Sequence, residues 1–432
     1  MNFTKKRYEK FNETLYLGTH ESGLRVYVMP KDAYSKCYAI IGTNFGSVDS
    51  VFTVAGESEQ TILPDGVAHF LEHKMFEQPD GGNVFGEFAK YGANANAFTS
   101  FNMTAYLFEC TEQPIKNLEI LLDYVSKPYF TEENVAKEQG IIGQEIKMYD
   151  DDADWRCAIN LLGAMYENHP VKNDIAGSVE SIAKIDKDLL YKCYNNFYNM
   201  ANMVLFVIGD INPDDVGNCV EKMIVDYKIL SNLPKRDYGT EPCKVVKNTV
   251  RQSMDVSVPS FILAYKDTDT GYDGKELLKK AIEYSVISEL AFGKTSDIYN
   301  SLVEKGLIMG FLDFDAECEK SYCHVSVSGE SKDPEAVRQV IFEGIKALKE
   351  KGINENDFTR LKKAYLGRFI KQFDHITSVA HGFLSNTFNN IGLFDYVDVI
   401  SEVSIDDINR RLRENFDEEL SVLSIIEPKN SK

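Results

Sequence analysis

Two kinds of hydrophobic periodicity alternate along the chain, and the same order of elements occurs twice. QPIKNLEILLDYV and FTEENVAKEQGIIGQEIK space their apolar residues three and four apart, which predicts two amphipathic helices joined by a short turn. About 220 residues later, DPEAVRQVIFEGI and INENDFTRLKKAYLGRFIK repeat the arrangement. Farther along each half a helix feeds a strand: IDKDLLYKCYNNFY precedes MVLFVIGDI, and IDDINRRLRENF precedes LSVLSIIEP. The identity between the copies is weak, but the order of elements matches.

Strands are predicted in the first half at LRVYVMP, KCYAIIG and NAFTSFNMTAYLFEC, the last as a hairpin turning near Ser100 to Asn102. In the second half they fall at QSMDVSVPSFILAY and CHVSVSGES. Strands mixed with long helices, without regular βαβ alternation, predict an α+β protein. The expectation is two tandem homologous domains, each a mainly antiparallel sheet with helices packed on one face. The polar stretch around NLPKRDYGTEPCK, broken by Pro and Gly, marks a linker at 230–247 between domains at 1–229 and 248–432.

Composition narrows the class. A chain of 432 residues that is 44% apolar has material for more than one core and is not disordered. The formal net charge of -20 and the lack of a basic stripe argue against nucleic acid as a partner. The first eighteen residues carry lysines but no apolar run, and no stretch approaches the ~20 apolar residues that span a bilayer, so neither secretion nor membrane insertion is expected. Eight cysteines scattered without a C-x-x-C pair read as free thiols in a reducing compartment, the cytoplasm.

The candidate chemistry lies in PDGVAHFLEHKMFE, residues 64–77, read as a helix opened by Pro64 and Asp65. At helical spacing His69 and His73 share a face, with Glu72 beside them. Two neutral imidazoles at i and i+4 suit adjacent positions on one zinc ion, with Glu72 close to the metal and not required to ligate it. A hydrolytic zinc needs a third protein ligand and an open position for water. In VAKEQGIIGQEIKMY, Glu138 and Glu145 stand seven residues apart on one helix face. One of them can complete the site, and the other can hydrogen-bond a ligand. By contrast, His169 is an isolated histidine before a Pro and reads as structural, while His324, His375 and His381 have no second ligand at metal spacing and read as packing or surface residues. The run Asp150, Asp151, Asp152 and Asp154 reads as a solvated helix end.

GVAHFLEHKMFE, GANANAFTSFNMTAY, EQGIIGQEIKMYDD and the NMVLFVIGDI strand together resemble the pitrilysin, insulysin and mitochondrial-processing-peptidase family, whose signature is H-x-x-E-H. The resemblance implies one zinc per chain, held by His69, His73 and Glu145, with Glu138 as supporting carboxylate. It implies that Glu72 is the general base acting on the water the zinc would hold. It also implies that Asn96, Ala97, Phe98 and Thr99 lie on an edge strand that takes a peptide by strand addition. Two such domains form half of a clamshell in that family.

The second repeat departs from this pattern, with Leu361 opposite Glu138 and Arg368 opposite Glu145. The family segment that carries a substrate-holding Arg and Tyr is here LVEKGLIM, with Val303 and Met309 at those positions. The expectation is therefore a zinc endopeptidase that cuts peptides or small unfolded polypeptides in an enclosed chamber. It would act as a dimer, first of all a heterodimer with a related zinc-free subunit, second a homodimer. A non-catalytic scaffold or peptide-binding subunit, and a maturation protease for a single precursor, are the alternatives.

Overall fold

The protein is described by a computed structural model that covers every residue except Ala33, Asp80, Lys228, Ser231 and 430–432. Ser231 of the expected linker and the last three residues of the expected second domain thus lie outside the described residues. The chain forms two compact units. Unit 1 comprises Met1–Ile146, Asp174–Tyr238 and Ile370–Phe388; unit 2 comprises Lys147–Asn173, Gly239–Phe369 and Asn389–Lys432. Each half of the chain therefore gives one helix to the unit built mainly by the other half: Ala153–Met165 belongs to unit 2 and Ile376–Phe388 to unit 1.

Unit 1 is organised on a seven-stranded sheet. Its spatial order is Thr4–Tyr8, Glu13–Thr19, Arg25–Pro30, Met203–Gly209, Cys37–Thr43, Thr104–Cys110 and Ala93–Thr99. All neighbours are antiparallel except Arg25–Pro30 with Met203–Gly209. Cys37–Thr43 and Met203–Gly209 are buried at every position, as uniformly apolar strands are when both sheet faces are covered. On one face Tyr106 packs edge-on against Tyr124 of the helix Pro114–Ser126. On the other, Phe383 of Ile376–Phe388 meets Tyr27 and Phe206 at centroid distances of 4.8 and 4.3 Å. Gly42 makes room for that helix, since a Cβ there would come within 2.5 Å of Leu384 Cδ2. This second helical layer goes beyond the single layer expected, and it comes from a segment far along the chain, Ile376–Phe388, out of reach of local periodicity.

A small antiparallel sheet of Lys235–Arg236, Val51–Thr53 and Gln60–Ile62 ties the end of unit 1's second segment to its first. From Gly239 the same stretch joins unit 2. There Glu241 accepts hydrogen bonds from the backbone N–H groups of Glu167, Asn168 and His169, and the N–H groups of Val246 and Lys247 reach the carbonyl of Ala164. The segment 230–247 is thus bonded along much of its length.

Unit 2 has a five-stranded sheet in the order Thr249–Met254, Ser421–Pro428, Ser260–Asp267, Cys323–Glu330 and Asp313–Cys318, with only the first pair parallel. Its larger core gathers Leu263, Val325 and Leu423 of the sheet with Tyr284, Val286 and Ile287 of the helix Gly274–Phe292. Cys157 of Ala153–Met165 packs with Met254 and Ile426 in a second cluster. Strand register sets Cys318 opposite Cys323, and their sulfurs are bonded. The expectation of eight free thiols fails for this pair, because hairpin pairing brings together two cysteines that no sequence pattern links. Among the described residues no helix is long and apolar enough to cross a membrane.

Candidate metal centre

The site is built in unit 1 from two helices and the edge strand. The first helix runs Val67–Lys74, starting after the expected openers Pro64 and Asp65. Gly66 caps it at φ 92° without a side-chain hydrogen bond. A Cβ on Gly66 would lie 2.5 Å from the carbonyl of Ala176, and one on Gly177, at φ 73°, would lie 2.5 Å from the carbonyl of Asp65. Only paired glycines let these two backbones approach so closely. Ser181 Oγ then donates to the carbonyl of Asp65 at 2.8 Å. The entry to the helix is set by backbone contact with a turn more than 100 residues away, not by an acidic cap.

Within this helix His69 and Glu72 are buried and His73 is partly so. The two imidazoles lie 4.6 Å apart by centroid, inclined at 63°. The helix Glu132–Asp150 brings Glu145 to both: its Oε1 is 3.6 Å from His69 Nε2 and its Oε2 is 3.4 Å from His73 Nε2. One ligand atom from each of the three residues lies within 4.8 Å of the others. A tetrahedral zinc with ligands near 2.0–2.1 Å places its ligand atoms about 3.3 Å apart, so this donor set of two nitrogens and one carboxylate oxygen fits the ion. No other such group of His, Cys, Asp and Glu occurs among the described residues.

Glu138, seven residues before Glu145 on the same helix, stands on the far side of His73, its Oε1 3.0 Å from Nδ1. A proton on Nδ1 directed at this carboxylate leaves Nε2 with its lone pair toward Glu145, the arrangement metal-binding histidines use. The carboxylate left unassigned by residue spacing alone is thereby distinguished: Glu145 faces both Nε2 atoms, and Glu138 faces the opposite ring nitrogen.

The electrostatics follow from burial. Burial, followed by the neighbouring His73 charge, brings the His69 pKa down to about 4, so the ring is neutral near pH 7, the state in which it can donate a lone pair. For His73 burial works in the opposite sense but is outweighed by the Glu138 hydrogen bond and the surrounding carboxylates, which raise its pKa. Burial also dominates at Glu138, but the His73 contact and the charge of Lys74 overcome it and hold the carboxyl below its ordinary range. Glu72, on the same turn as His73, has its pKa pushed up to about 7 by burial, partly countered by a hydrogen bond from Thr99.

That bond, Thr99 Oγ1 to Glu72 Oε2 at 2.8 Å, comes from the edge strand Ala93–Thr99. Ala97 and Thr99 alternate with Asn96 and Phe98 along it, so the pairs point to opposite sheet faces. Asn96 is exposed, and its Oδ1 accepts from the N–H of Ala97 at 2.9 Å. Phe98 stacks on His381 at 5.1 Å, and His381 Nε2 lies 2.7 Å from Tyr38 Oη. Among the described residues the strand carries a neighbour on one side only.

The remaining histidines lie away from the cluster. His169 Nδ1 accepts from the N–H of Val171, and its Nε2 is 3.0 Å from Ser321 Oγ. His324 is buried against Tyr166, and His375 is exposed. Asp152 caps the helix Ala153–Met165. In the second repeat Leu361 is buried in the core and Arg368 pairs with Glu289 at 2.9 Å, while Val303 and Met309 are exposed. Sequence patterning missed three contributors: the hydroxyl of Thr99 on Glu72, the Gly66–Gly177 contact, and Lys74, which is buried although it follows the motif as an ordinary charged residue.

Comparison with known proteins agrees with this fold. Residues 51–179 match the sequence model of insulinase (peptidase family M16), and residues 184–365 match the peptidase M16 inactive domain. The chain belongs to the insulinase family of peptidases. It is 39% identical over 425 residues to the uncharacterized zinc protease YmfH of Bacillus subtilis, covering 98% of this chain and 99% of that one. Among solved structures it is similar to a putative M16-like peptidase from Alicyclobacillus acidocaldarius, with a TM-score of 0.91, 32% identity and 99% of both chains covered. Pitrilysin shares the fold at a TM-score of 0.77 and 14% identity; 99% of this chain is covered but only 47% of pitrilysin.

Proposed function

We propose that this chain is a zinc-dependent endopeptidase for peptides or small unfolded polypeptides, with His69, His73 and Glu145 as metal ligands and Glu72 as general base. The observation that carries the reading is the convergence of those three ligand atoms within 4.8 Å, next to a buried carboxyl. The kinship with a protein named a zinc protease supports it. Zinc bound there would supply a Lewis acid that polarises the scissile carbonyl and eases deprotonation of water.

The chain's own groups would do the rest. Glu72 takes the proton from the attacking water and later delivers it to the leaving amine nitrogen, roles that suit a carboxyl with a pKa of about 7. The Thr99 hydroxyl holds one carboxyl oxygen in place and leaves the other for the water. Glu138 keeps the His73 ring turned toward Glu145. Asn96 and the backbone of Ala97, Phe98 and Thr99 receive the substrate as an added strand at the sheet edge.

We further propose that the active particle is a dimer, in the first instance with a related zinc-free subunit. Two observations favour this. Pitrilysin holds about twice this length of fold in one chain. The exposed Val303 and Met309 offer no hydrogen-bond donor to a substrate carbonyl, so that donor must come from elsewhere. The same pair of residues favours, as a second reading, a subunit that binds peptides without cutting them.

Peptide cleavage by the full chain, with and without its native partner and with and without a chelator, separates the two readings. The expected result is chelator-sensitive cleavage with one zinc per chain, abolished in Glu72→Gln with the zinc retained. A zinc-loaded chain that cuts nothing in a varied peptide library, even with its partner, would refute the peptidase reading. Normal turnover by Glu72→Gln would refute the assignment of the base.

A further inference from the structure

Lys74 ends the helix that carries His69, Glu72 and His73, yet its side chain is 0% exposed. Fully buried lysines are rare, and each needs a partner of opposite charge. The ammonium group has two such partners. Glu77 Oε2 lies at 2.6 Å and Glu138 Oε2 at 3.8 Å, and Nζ also donates to the carbonyl of Asn134 at 3.1 Å. Asn134 and Glu138 stand one turn apart on the helix Glu132–Asp150, which also carries Glu145. The lysine therefore bridges the two helices of the metal centre.

The division of labour at Glu138 gives this bridge a role. Its Oε1 meets His73 Nδ1 at 3.0 Å, and its Oε2 faces Lys74. The carboxylate is nearly buried, with a side-chain exposure of 7%. Lys137, the other lysine nearby, is 69% exposed and turns its ammonium toward Glu77 at 3.6 Å. The enclosed cation beside Glu138 is thus Lys74. We propose that Lys74 is a positioning residue of the metal centre: by anchoring one oxygen of Glu138 it holds the other on His73 Nδ1, and so keeps His73 Nε2 presented to the ion. This rests on the metal-binding reading given above.

The test is zinc affinity of the full-length chain, measured by competition with a chromophoric chelator, with thermal melting of the metal-free protein as the check on folding. Lys74→Met is expected to weaken zinc roughly 10–100-fold, the usual effect of losing a group behind a ligand. Combined with Glu138→Gln it should weaken binding no further than the worse single change, since both act through one contact. Glu77→Gln alone should leave the affinity within about threefold, because Lys74 then keeps its place beside Glu138 Oε2.

Removing a buried charge alone can unfold the chain, so the deciding variant is Lys74→Met with Glu77→Gln, which deletes the lysine and its nearest carboxylate together. The same 10–100-fold loss is expected. Wild-type affinity in that folded double variant would overturn the inference and make Lys74 a purely structural ion. Absence of tight zinc binding in the wild-type chain would instead defeat the metal-site reading, so the two failures are distinguishable.

Discussion

Glu72→Gln should make the metal-free protein more stable, and the gain should depend on pH. The carboxyl is 7% exposed, and burial raises its pKa from the ordinary 4.5 to about 7. A raised carboxyl pKa means that the folded chain holds a proton the unfolded chain has released. Stability contributed by this group is therefore highest in acid and falls as pH rises from about 4.5 to about 7. The span of roughly two and a half pH units, at about 1.4 kcal/mol each, amounts to about 3 kcal/mol of destabilisation at pH 8. Glutamine has nearly the same shape, keeps an acceptor for Thr99, and carries no charge to desolvate. The variant should exceed wild type by about 3 kcal/mol at pH 8 and by less than about 1 kcal/mol at pH 5. Urea unfolding of chelator-treated protein at pH 5, 6, 7 and 8 reads it directly. A gain that is the same at every pH, or absent at pH 8, would show that Glu72 is not held in a desolvating environment.

Other perturbations test separate parts of the structure. Thr99→Val should lower kcat about tenfold or more with KM little changed, and Thr99→Ser should restore it, since the hydroxyl serves the base and not the peptide; a change confined to KM would return Thr99 to substrate binding. Gly66→Ala should cost at least about 2 kcal/mol in denaturant unfolding, from left-handed backbone strain and the clash with the Ala176 carbonyl; unchanged stability would mean that the contact with residue 176 is slack. Lys266→Met in unit 2 removes a buried ammonium that pairs with Glu241 at 2.6 Å and bonds the carbonyls of Met165, Pro242 and Lys244. Breaking such a pair should cost about 3–5 kcal/mol, and a loss below about 1 kcal/mol would contradict its role.

The candidate metal centre was partly legible because half of it is local. His69, Glu72 and His73 occupy one helix, whose 3.6-residue period dictates that positions i and i+4 share a face. The long helix pairs and the hairpin at Ala93–Thr99 and Thr104–Cys110 were legible for the same reason: their apolar spacing matches their own geometry. The residue pattern alone could not choose between Glu138 and Glu145, since both lie on one face of Glu132–Asp150. The choice depends on which carboxylate the packed helix sets against Nε2 and which against Nδ1. The pairing of Cys318 with Cys323 was hidden likewise, because it follows from strand register and not from spacing.

By itself, then, the amino-acid order determined what short-range geometry can determine: the type and sequence of the elements, the duplication, the histidine pair with its glutamate, and a helix able to supply a third ligand. The tertiary structure decided everything that depends on residues far apart in the chain. It exchanged the helices Ala153–Met165 and Ile376–Phe388 between the two units. It started the motif helix at a glycine wedged against Ala176, turned Thr99 toward Glu72, and enclosed Lys74 between two carboxylates. Periodicity carries no information about such contacts, because a side chain's burial and partners are set by which surfaces meet when the sheets and helices close-pack.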